Sequence, residues 1–287
     1  MKNILILLPL YNDWKSLNHL LSKINNQFKK KKLILNIVII NDNSTERAHI
    51  EKNKFKYLNK IQIINLKRNF GSQKAIFFGL KKIVNKIPKS IIIIMDSDGE
   101  DDQSKIKTLI SYVRKNPSSI IFAKRSKRLE NPFLKILNFF RLIVTYIFTG
   151  KYMNIGNFSA FCSIHLKKIL KNNNLSLAFC SGVLKNFKNI QTVSIDKKKR
   201  YFGVSRVNFL FLIKHSVNII SVFYKIVFLR SFLFFLLIFI IFPKVENLIF
   251  LIVFFLLMNL TFLFFYLFNI YSNNISNNFK NVKNVKK

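Results

Sequence analysis

The first 125 residues alternate between short apolar runs and longer stretches in which apolar residues recur at helical spacing. The runs predict strands that are buried on both faces, at residues 4–8, 33–40, 61–66, 91–95 and 119–123. The stretches between them predict helices at residues 16–28, 72–86 and 103–114. Strands that alternate with helices predict an α/β fold with a mostly parallel sheet, formed from βαβ units.

The pattern changes after residue 130. Residues 131–152 form an acid-free, basic and aromatic-rich stretch with helical spacing, and residues 209–224 repeat this style. Basic amphipathic helices of this kind lie in membrane interfaces, but the same pattern also suits core helices packed on a sheet. Both interpretations stay open for the first stretch, and the interface is favoured for the second.

A C-terminal transmembrane hairpin is predicted next. Residues 248–268 carry no charge and would be long enough as a helix to cross a bilayer. Residues 226–242 are apolar except for Arg230, which could snorkel to the boundary, and residues 243–247 form a polar turn. Because the lysines follow the hairpin in a basic tail, the positive-inside rule places both termini in the cytosol.

Charge and cysteine content narrow the function classes. The chain of 287 residues has 48 Lys and Arg and a net charge of +36. This charge is explained either by a biased genome composition that favours lysine or by an anionic partner. The apolar segments favour membrane lipids over nucleic acid as that partner, and no nucleic-acid-binding motif accompanies the charge. Two cysteines without a CxxC pattern argue against a disulfide framework or a zinc site. The N-terminal apolar run ends at Pro9 without a cleavage site, which favours a first strand over a signal peptide.

Against this basic background, five of the twelve acidic residues lie between Asp96 and Asp102, directly after a predicted strand. So many like charges are unfavourable together unless a cation lies among them. A divalent metal with a phosphate-bearing ligand is the natural candidate. Asp101 and Asp102 are instead expected to start the next helix, where negative charge is favoured.

Three more polar clusters follow predicted strands, at residues 11–13, 41–44 and 68–71. Ligands of parallel α/β sheets bind beyond the carboxyl ends of the strands, so the four clusters predict one site. Asp42 could accept a hydrogen bond from a nucleotide base and Tyr11 could stack on it. Taken by themselves, residues 41–45 are explained better by an ordinary Asx turn or helix cap.

These segments together resemble a known family. Leu8-Pro9-Leu10-Tyr11-Asn12-Asp13, Asp42-Asn43-Ser44, Arg68-Asn69-Phe70-Gly71 and Met95-Asp96-Ser97-Asp98 are similar to motifs of the inverting GT-A glycosyltransferases of family 2. Residues 123–128 resemble the G-x-R-x-x-R stretch, and residues 200–206 the R-x-x-G-x-S-K stretch, of polyprenyl-phosphate sugar transferases of the dolichyl-phosphate mannose synthase type. The resemblance implies a Rossmann-like GT-A domain at residues 1–205, followed by an interface helix (206–225), the hairpin (226–268) and a basic polar tail (269–287).

The resemblance also implies roles for individual residues, which fall into three groups. Those expected to hold the donor are Pro9, Tyr11, Asp13, Asp42, Arg68 and Asp96. Those expected to hold Mg²⁺ or Mn²⁺ are Asp98 and Glu100. Those expected to bind donor and acceptor phosphates are Arg125, Arg128, Arg200 and Ser205, with Asp96, Asp98 and Arg200 as the catalytic set.

Departures from the family pattern bear on the acceptor. Asn41 replaces the usual first Asp of D-D-x-S, and no Asp or Glu occurs between Asn131 and Ile195. Many relatives use a carboxylate there to deprotonate a sugar hydroxyl, whereas a phosphate acceptor requires no such base. The leading hypothesis is therefore an inverting, metal-dependent hexosyltransferase that uses a nucleotide-diphosphate sugar and a polyprenyl phosphate at the cytosolic face of a bacterial-type inner membrane. The alternatives are transfer to a saccharide hydroxyl and a catalytically silent membrane scaffold; the oligomeric state stays open.

Overall fold

The computed structural model describes residues 1–29, 33–125, 132–171, 173–203, 209–241, 248–271 and 279–286. Its strands are β1 (Asn3–Leu10), β2 (Ile34–Asn41), β3 (Lys60–Leu66), β4 (Ile91–Ile94), β5 (Ile120–Arg125), β6 (Ile155–Cys162), β7 (Ile190–Ile195) and β8 (Phe279–Lys286). Its helices are α1 (Trp14–Gln27), α2 (Ser72–Ile83), α3 (Ile106–Lys115), α4 (Pro132–Thr149), α5 (Leu166–Ile169), α6 (Phe179–Asn186), α7 (Phe209–Val222), α8 (Tyr224–Ile241) and α9 (Leu248–Tyr271).

The eight strands form one mixed sheet in the order β7-β5-β6-β4-β1-β2-β3-β8. Strands β4, β1, β2 and β3 pair in parallel, as do β5 and β7. Strand β6 runs antiparallel between β4 and β5, and β8 runs antiparallel along β3. The five predicted strands and three predicted helices are confirmed, with ends that differ by a few residues.

Apolar residues on both faces of the central strands explain why those runs form strands. In β1, Ile4, Ile6 and Leu8 join a core with α1 and α3, while Leu5 and Leu7 join a second core with α2. This division follows the two-residue period of a strand. The sheet is therefore covered on both sides, as a parallel sheet requires.

The chain divides into two compact units. The first comprises residues 1–129, 155–206 and 274–287, and contains the whole sheet. The second comprises residues 130–154 and 207–273, and contains α4, α7, α8 and α9. Residues 131–152, which the sequence assigned to the catalytic domain, thus fall in the helical unit. Part of the segment expected to be a polar tail forms β8 in the sheet.

Within the helical unit, α8 and α9 are both long and apolar enough to cross a membrane. They pack on each other through aromatic side chains, with the Phe228 and Phe255 ring centroids 5.9 Å apart. Ser231 donates a hydrogen bond to Asn259 across this pair at 3.1 Å. Arg230 donates to two carbonyl oxygens near the end of α4, that of Ile147 at 2.9 Å and that of Tyr146 at 3.4 Å. The predicted turn at residues 243–247 lies outside the described residues.

Candidate active site

The carboxyl ends of β1, β2 and β4 carry three polar loops at one edge of the sheet, because these strands run in parallel. The loops after β1 and β2 are joined directly. The backbone N–H of Asn12 donates to Ser44 Oγ at 2.9 Å, and the Asn12 side chain exchanges two hydrogen bonds with Thr45. Asn12 has a φ of 47°, a left-handed conformation that Asn tolerates better than most residues. Two of the predicted clusters therefore form one framework.

Asp42 is buried directly after β2, and its carboxylate organises the loop after β3. Its two oxygens accept the backbone N–H groups of Phe70 and Gly71, each at 2.8 Å. Burial raises the pKa of Asp42, while the two backbone hydrogen bonds oppose that rise. The predicted residue Arg68 belongs to the same loop and stacks its guanidinium on the ring of Phe70, 4.8 Å from the centroid.

The acidic turn after β4 is the third loop. Glu100 donates its backbone N–H to Asp98 Oδ1 at 3.0 Å, and Asp96 donates its own to Asp101 Oδ2 at 2.9 Å. Burial and then the negative charges of Asp96 and Glu100 raise the pKa of Asp98 to about 7. Asp102 accepts the backbone N–H of Ser104 at the start of the turn that leads into α3. Its expected role as a helix start is therefore confirmed.

Residues 197–201 lie along this acidic turn. Lys198 donates its backbone N–H to the Glu100 carbonyl oxygen at 2.8 Å, and Tyr201 donates to that of Asp98 at 3.0 Å. Gly99 has a φ of 90°, and a Cβ at this position would lie 2.4 Å from the Tyr201 ring. Glycine is thus required both by the backbone conformation and by the close approach of the ring.

Cationic side chains from the same segment neutralise part of the negative charge of the turn. Arg200 Nη2 contacts Asp13 Oδ2 at 2.6 Å, and its Nη1 lies 3.3 Å from Asp98 Oδ2. Lys197 contacts Glu100 at 2.6 Å, and both side chains are mostly buried. The structure therefore joins the ends of β1 and β4 through Arg200, a contact that the sequence did not predict. Lys197 was also missed, because a lysine in a lysine-rich run carries no signal of its own.

Asn157 on β6 also lies beside the acidic turn. Its side-chain amide nitrogen lies 3.5 Å from Asp96 Oδ1, and its oxygen accepts a hydrogen bond from Gln73 at 3.2 Å. Gln73 in turn accepts the backbone N–H of Phe179 at 2.7 Å, at the start of α6. This chain of amides places a neutral group beside the acidic turn.

The other predicted site residues differ in how they are placed. Pro9 lies within β1, and its carbonyl oxygen accepts a hydrogen bond from Ser97 Oγ at 2.9 Å. Tyr11 is 37% exposed at the site edge. Arg125 ends β5. Arg128 and Ser205 lie outside the described residues.

The acidic turn fits a divalent cation in its chemistry. Asp96, Asp98 and Glu100 offer carboxylate oxygens, and their mutual repulsion is relieved by positive charge. Among the residues that the structure describes, no three acidic, His or Cys side chains converge as a metal cage. A cation here would need further ligands beyond these carboxylates, and Mg²⁺ commonly completes its shell with water or phosphate oxygens.

GT-A glycosyltransferases have a mostly parallel sheet that carries polar loops and an acidic turn at the carboxyl ends of its strands. This chain has the same arrangement. The family comparison agrees with this class. The model of "Glycosyl transferase family 2" matches residues 5–173, and the chain belongs to that family. It is thus a glycosyltransferase.

Named relatives agree with this assignment, and a solved structure shares the fold. An undecaprenyl-phosphate 4-deoxy-4-formamido-L-arabinose transferase of Pectobacterium atrosepticum is 24% identical over 225 residues, which cover 77% of this chain and 67% of the relative. An uncharacterised glycosyltransferase of Synechocystis is 25% identical over 126 residues, 44% of this chain and 38% of the relative. The crystal structure of mannosyl-3-phosphoglycerate synthase from Rubrobacter xylanophilus matches with a TM-score of 0.54 at 11% identity, over 78% of this chain and 73% of that one. The structural likeness supports the fold alone.

Proposed function

We propose that this glycosyltransferase moves a sugar from a nucleotide-diphosphate donor to a polyprenyl phosphate, with inversion at the anomeric carbon. The donor nucleoside would lie on the joined loops after β1 and β2, held by Pro9, Tyr11 and Asp42. Its diphosphate would extend toward Asp96 and the acidic turn. Arg68, on the loop that Asp42 organises, completes the donor side.

The acceptor class rests on one observation, the neutral amide of Asn157 beside Asp96. An amide cannot remove a proton from a sugar hydroxyl, and the sequence offers no Asp or Glu from residue 131 to residue 195. A phosphate monoester already carries a nucleophilic anionic oxygen and requires no such base. The names of the Pectobacterium relatives, which act on undecaprenyl phosphate, support the same class.

In the proposed reaction, a phosphate oxygen of the acceptor attacks the anomeric carbon while the bond to the donor diphosphate breaks on the opposite face. Arg200 has five N–H donors, so it can hold Asp13 and still donate to a phosphate oxygen. Lys197 adds a second positive charge beside the leaving group. Mg²⁺ or Mn²⁺, when held by Asp98 and Glu100, would neutralise charge on that diphosphate. The acceptor phosphate is assigned to Arg125, Arg128 and Ser205.

The membrane arrangement is part of this proposal. Helices α8 and α9 would cross the bilayer as a hairpin. A hairpin of two crossings would place the segments before and after it on the same face of the membrane, and the lysine-rich C-terminal segment favours the cytosolic face. A phosphatase reporter that is active only in the periplasm, fused after Lys287, should stay inactive.

The test is incubation of membranes containing the full chain with labelled nucleotide sugars and undecaprenyl phosphate. We expect a lipid-linked product that depends on added Mg²⁺ or Mn²⁺. Asp98→Asn should abolish the product, whereas Asp102→Asn, the same change in the same turn, should retain it because Asp102 caps a helix. Product on a saccharide acceptor instead would refute the lipid assignment. No product from any common donor would refute the proposed transfer as a whole.

A further inference from the structure

Three asparagines lie side by side across the last three strands of the sheet, at the edge that carries the proposed donor site. Asn41 ends β2, and in the strand register it pairs with Asn65 of β3. Asn65 pairs in turn with Asn281 of β8. Residues that pair in register point to the same face, so the three side chains can meet.

These side chains form a continuous hydrogen-bonded row, which we call the asparagine ladder. Asn41 Nδ2 donates to Asn65 Oδ1 at 2.7 Å, and Asn65 Nδ2 donates to Asn281 Oδ1 at 2.5 Å. A side-chain amide both donates and accepts, whereas an ionised carboxylate only accepts. An asparagine at position 41 can therefore donate to Asn65 and still use its own oxygen elsewhere.

That oxygen reaches the donor loop. Asn41 Oδ1 accepts the backbone N–H of Ser44 at 2.9 Å, and Ser44 Oγ accepts the backbone N–H of Asn12. A second contact runs parallel to the ladder, from Lys280 Nζ to Asn43 Oδ1 at 2.7 Å. Asn43 has a φ of 59°, so this contact holds a residue in the left-handed conformation.

Side-chain contacts, as well as backbone pairing with β3, hold β8 on the sheet. Phe279 packs its ring edge on Phe78 of α2, with centroids 6.1 Å apart, and Lys82 lies 4.8 Å from the Phe279 centroid. The start of β8 therefore has a defined place beside α2. Lys280 and Asn281 therefore contact Asn43 and Asn65 from a strand whose position is fixed.

We propose that Asn281 and Lys280 are positioning residues that hold the loop 41–45, and with it Asp42 and Tyr11, in the geometry for donor binding. This inference rests on the proposed function, because it assigns the donor nucleoside to those loops. It means that the strand that follows the apolar helices contributes to donor affinity without touching the donor.

The test compares two side-chain hydrogen bonds between asparagines. Asn281→Ala removes the end of the ladder, while Asn281→Asp keeps an acceptor oxygen for Asn65. Asn59→Ala is the matched control, because Asn59 donates to Asn36 at 2.9 Å near the amino end of β2. Binding of UDP and of GDP, each with MgCl₂, is measured by calorimetry on the full chain in detergent. Hydrogen exchange of the backbone amides of residues 42–45 is measured on the same samples.

We expect Asn281→Ala to weaken binding of the preferred nucleotide by about two- to tenfold, the range of one hydrogen bond, and to speed exchange in the loop. The KM for the donor should rise with kcat unchanged, Asn281→Asp should restore binding, and Asn59→Ala should match the wild type. Unchanged binding and exchange in Asn281→Ala, or equal losses in Asn59→Ala, would overturn the positioning role of Asn281 but leave the proposed function in place. A wild-type chain that binds neither nucleotide would overturn the proposed function as well.

Discussion

Replacing Gly99 by alanine tests whether residues 197–201 cover the acidic turn in solution. The φ of 90° costs an L-residue about 1–2 kcal/mol. The new Cβ would also lie 2.4 Å from the Tyr201 ring, so the ring must move. That movement breaks the hydrogen bond from the Tyr201 hydroxyl to Gln103, 2.9 Å long, and the edge contact with His19, whose ring centroid is 4.5 Å away.

Each lost contact is worth about 1 kcal/mol, so the full cost of Gly99→Ala is about 3–4 kcal/mol. For a chain of this size that loss lowers the melting temperature by roughly 6–16 °C. Gly71→Ala is the control. Its φ is 86°, and no heavy atom of the described residues lies within 4 Å of the added Cβ. It should cost only the backbone part, about 1–2 kcal/mol, or roughly 2–8 °C.

The assay follows Trp14 fluorescence during heating in detergent, because this single tryptophan is buried in the first unit. A Tyr201→Ala background completes a double-mutant cycle. There, Gly99→Ala should cost no more than Gly71→Ala, since the ring that it would meet is gone. An equal cost for the two glycine variants in the wild-type background, or an undiminished Gly99→Ala cost without the ring, would refute the contact.

Three further predictions follow from single residues. Because the pKa of Asp98 is raised to about 7, the folded protein keeps a proton that the unfolded chain releases near pH 3.8, so the stability of the metal-free protein should fall as the pH rises to about 7. Asp98→Asn should flatten the dependence of melting temperature on pH over this range. An unchanged slope in the variant would contradict this prediction. Gly79→Ala should lower the stability of the protein by about 1–3 kcal/mol in thermal melts, because the new Cβ would lie 2.6 Å from Ile40 Cδ1. This loss is expected although alanine favours helices, and a stabilised variant would mean that Ile40 moves aside freely. Arg230→Met should speed proteolysis of the α4 end, where Arg230 satisfies the Ile147 carbonyl, and equal cleavage rates would argue against this cap.

The central strands could be predicted because each is a run of apolar residues buried on both faces. Strand β4, for example, is four isoleucines in a row. The last strand could not be predicted in this way. Its sequence, Phe-Lys-Asn-Val-Lys-Asn-Val-Lys, is largely polar, and its pairing with β3 depends on backbone groups more than 200 positions away in the sequence. Local patterns carry no information on such an edge strand.

The site was predictable where a residue follows a strand end, and less so where a contact comes from a distant segment. Asp42, Asp96 and Asp98 lie at the expected edge because strand direction alone places them there. Arg200 was expected to bind phosphates, but its contacts with Asp13 and Asp98 depend on how residues 197–201 lie along the acidic turn. No periodicity or spacing in the sequence encodes that path.

The basic residues of this chain do not all have the same role, because the position of each one decides whether it contacts a carboxylate. Lys197 and Arg200 are mostly buried against Glu100, Asp13 and Asp98, whereas many other lysines are exposed. Even with Arg200 beside it, the pKa of Asp98 is raised from 3.8 to about 7, because burial and then the negative charges of Asp96 and Glu100 oppose its ionisation. The internal cations therefore compensate the turn only in part. In the proposed function, a bound cation would relieve the repulsion among these carboxylates, so part of the free energy that opposes ionisation of Asp98 would be recovered on binding.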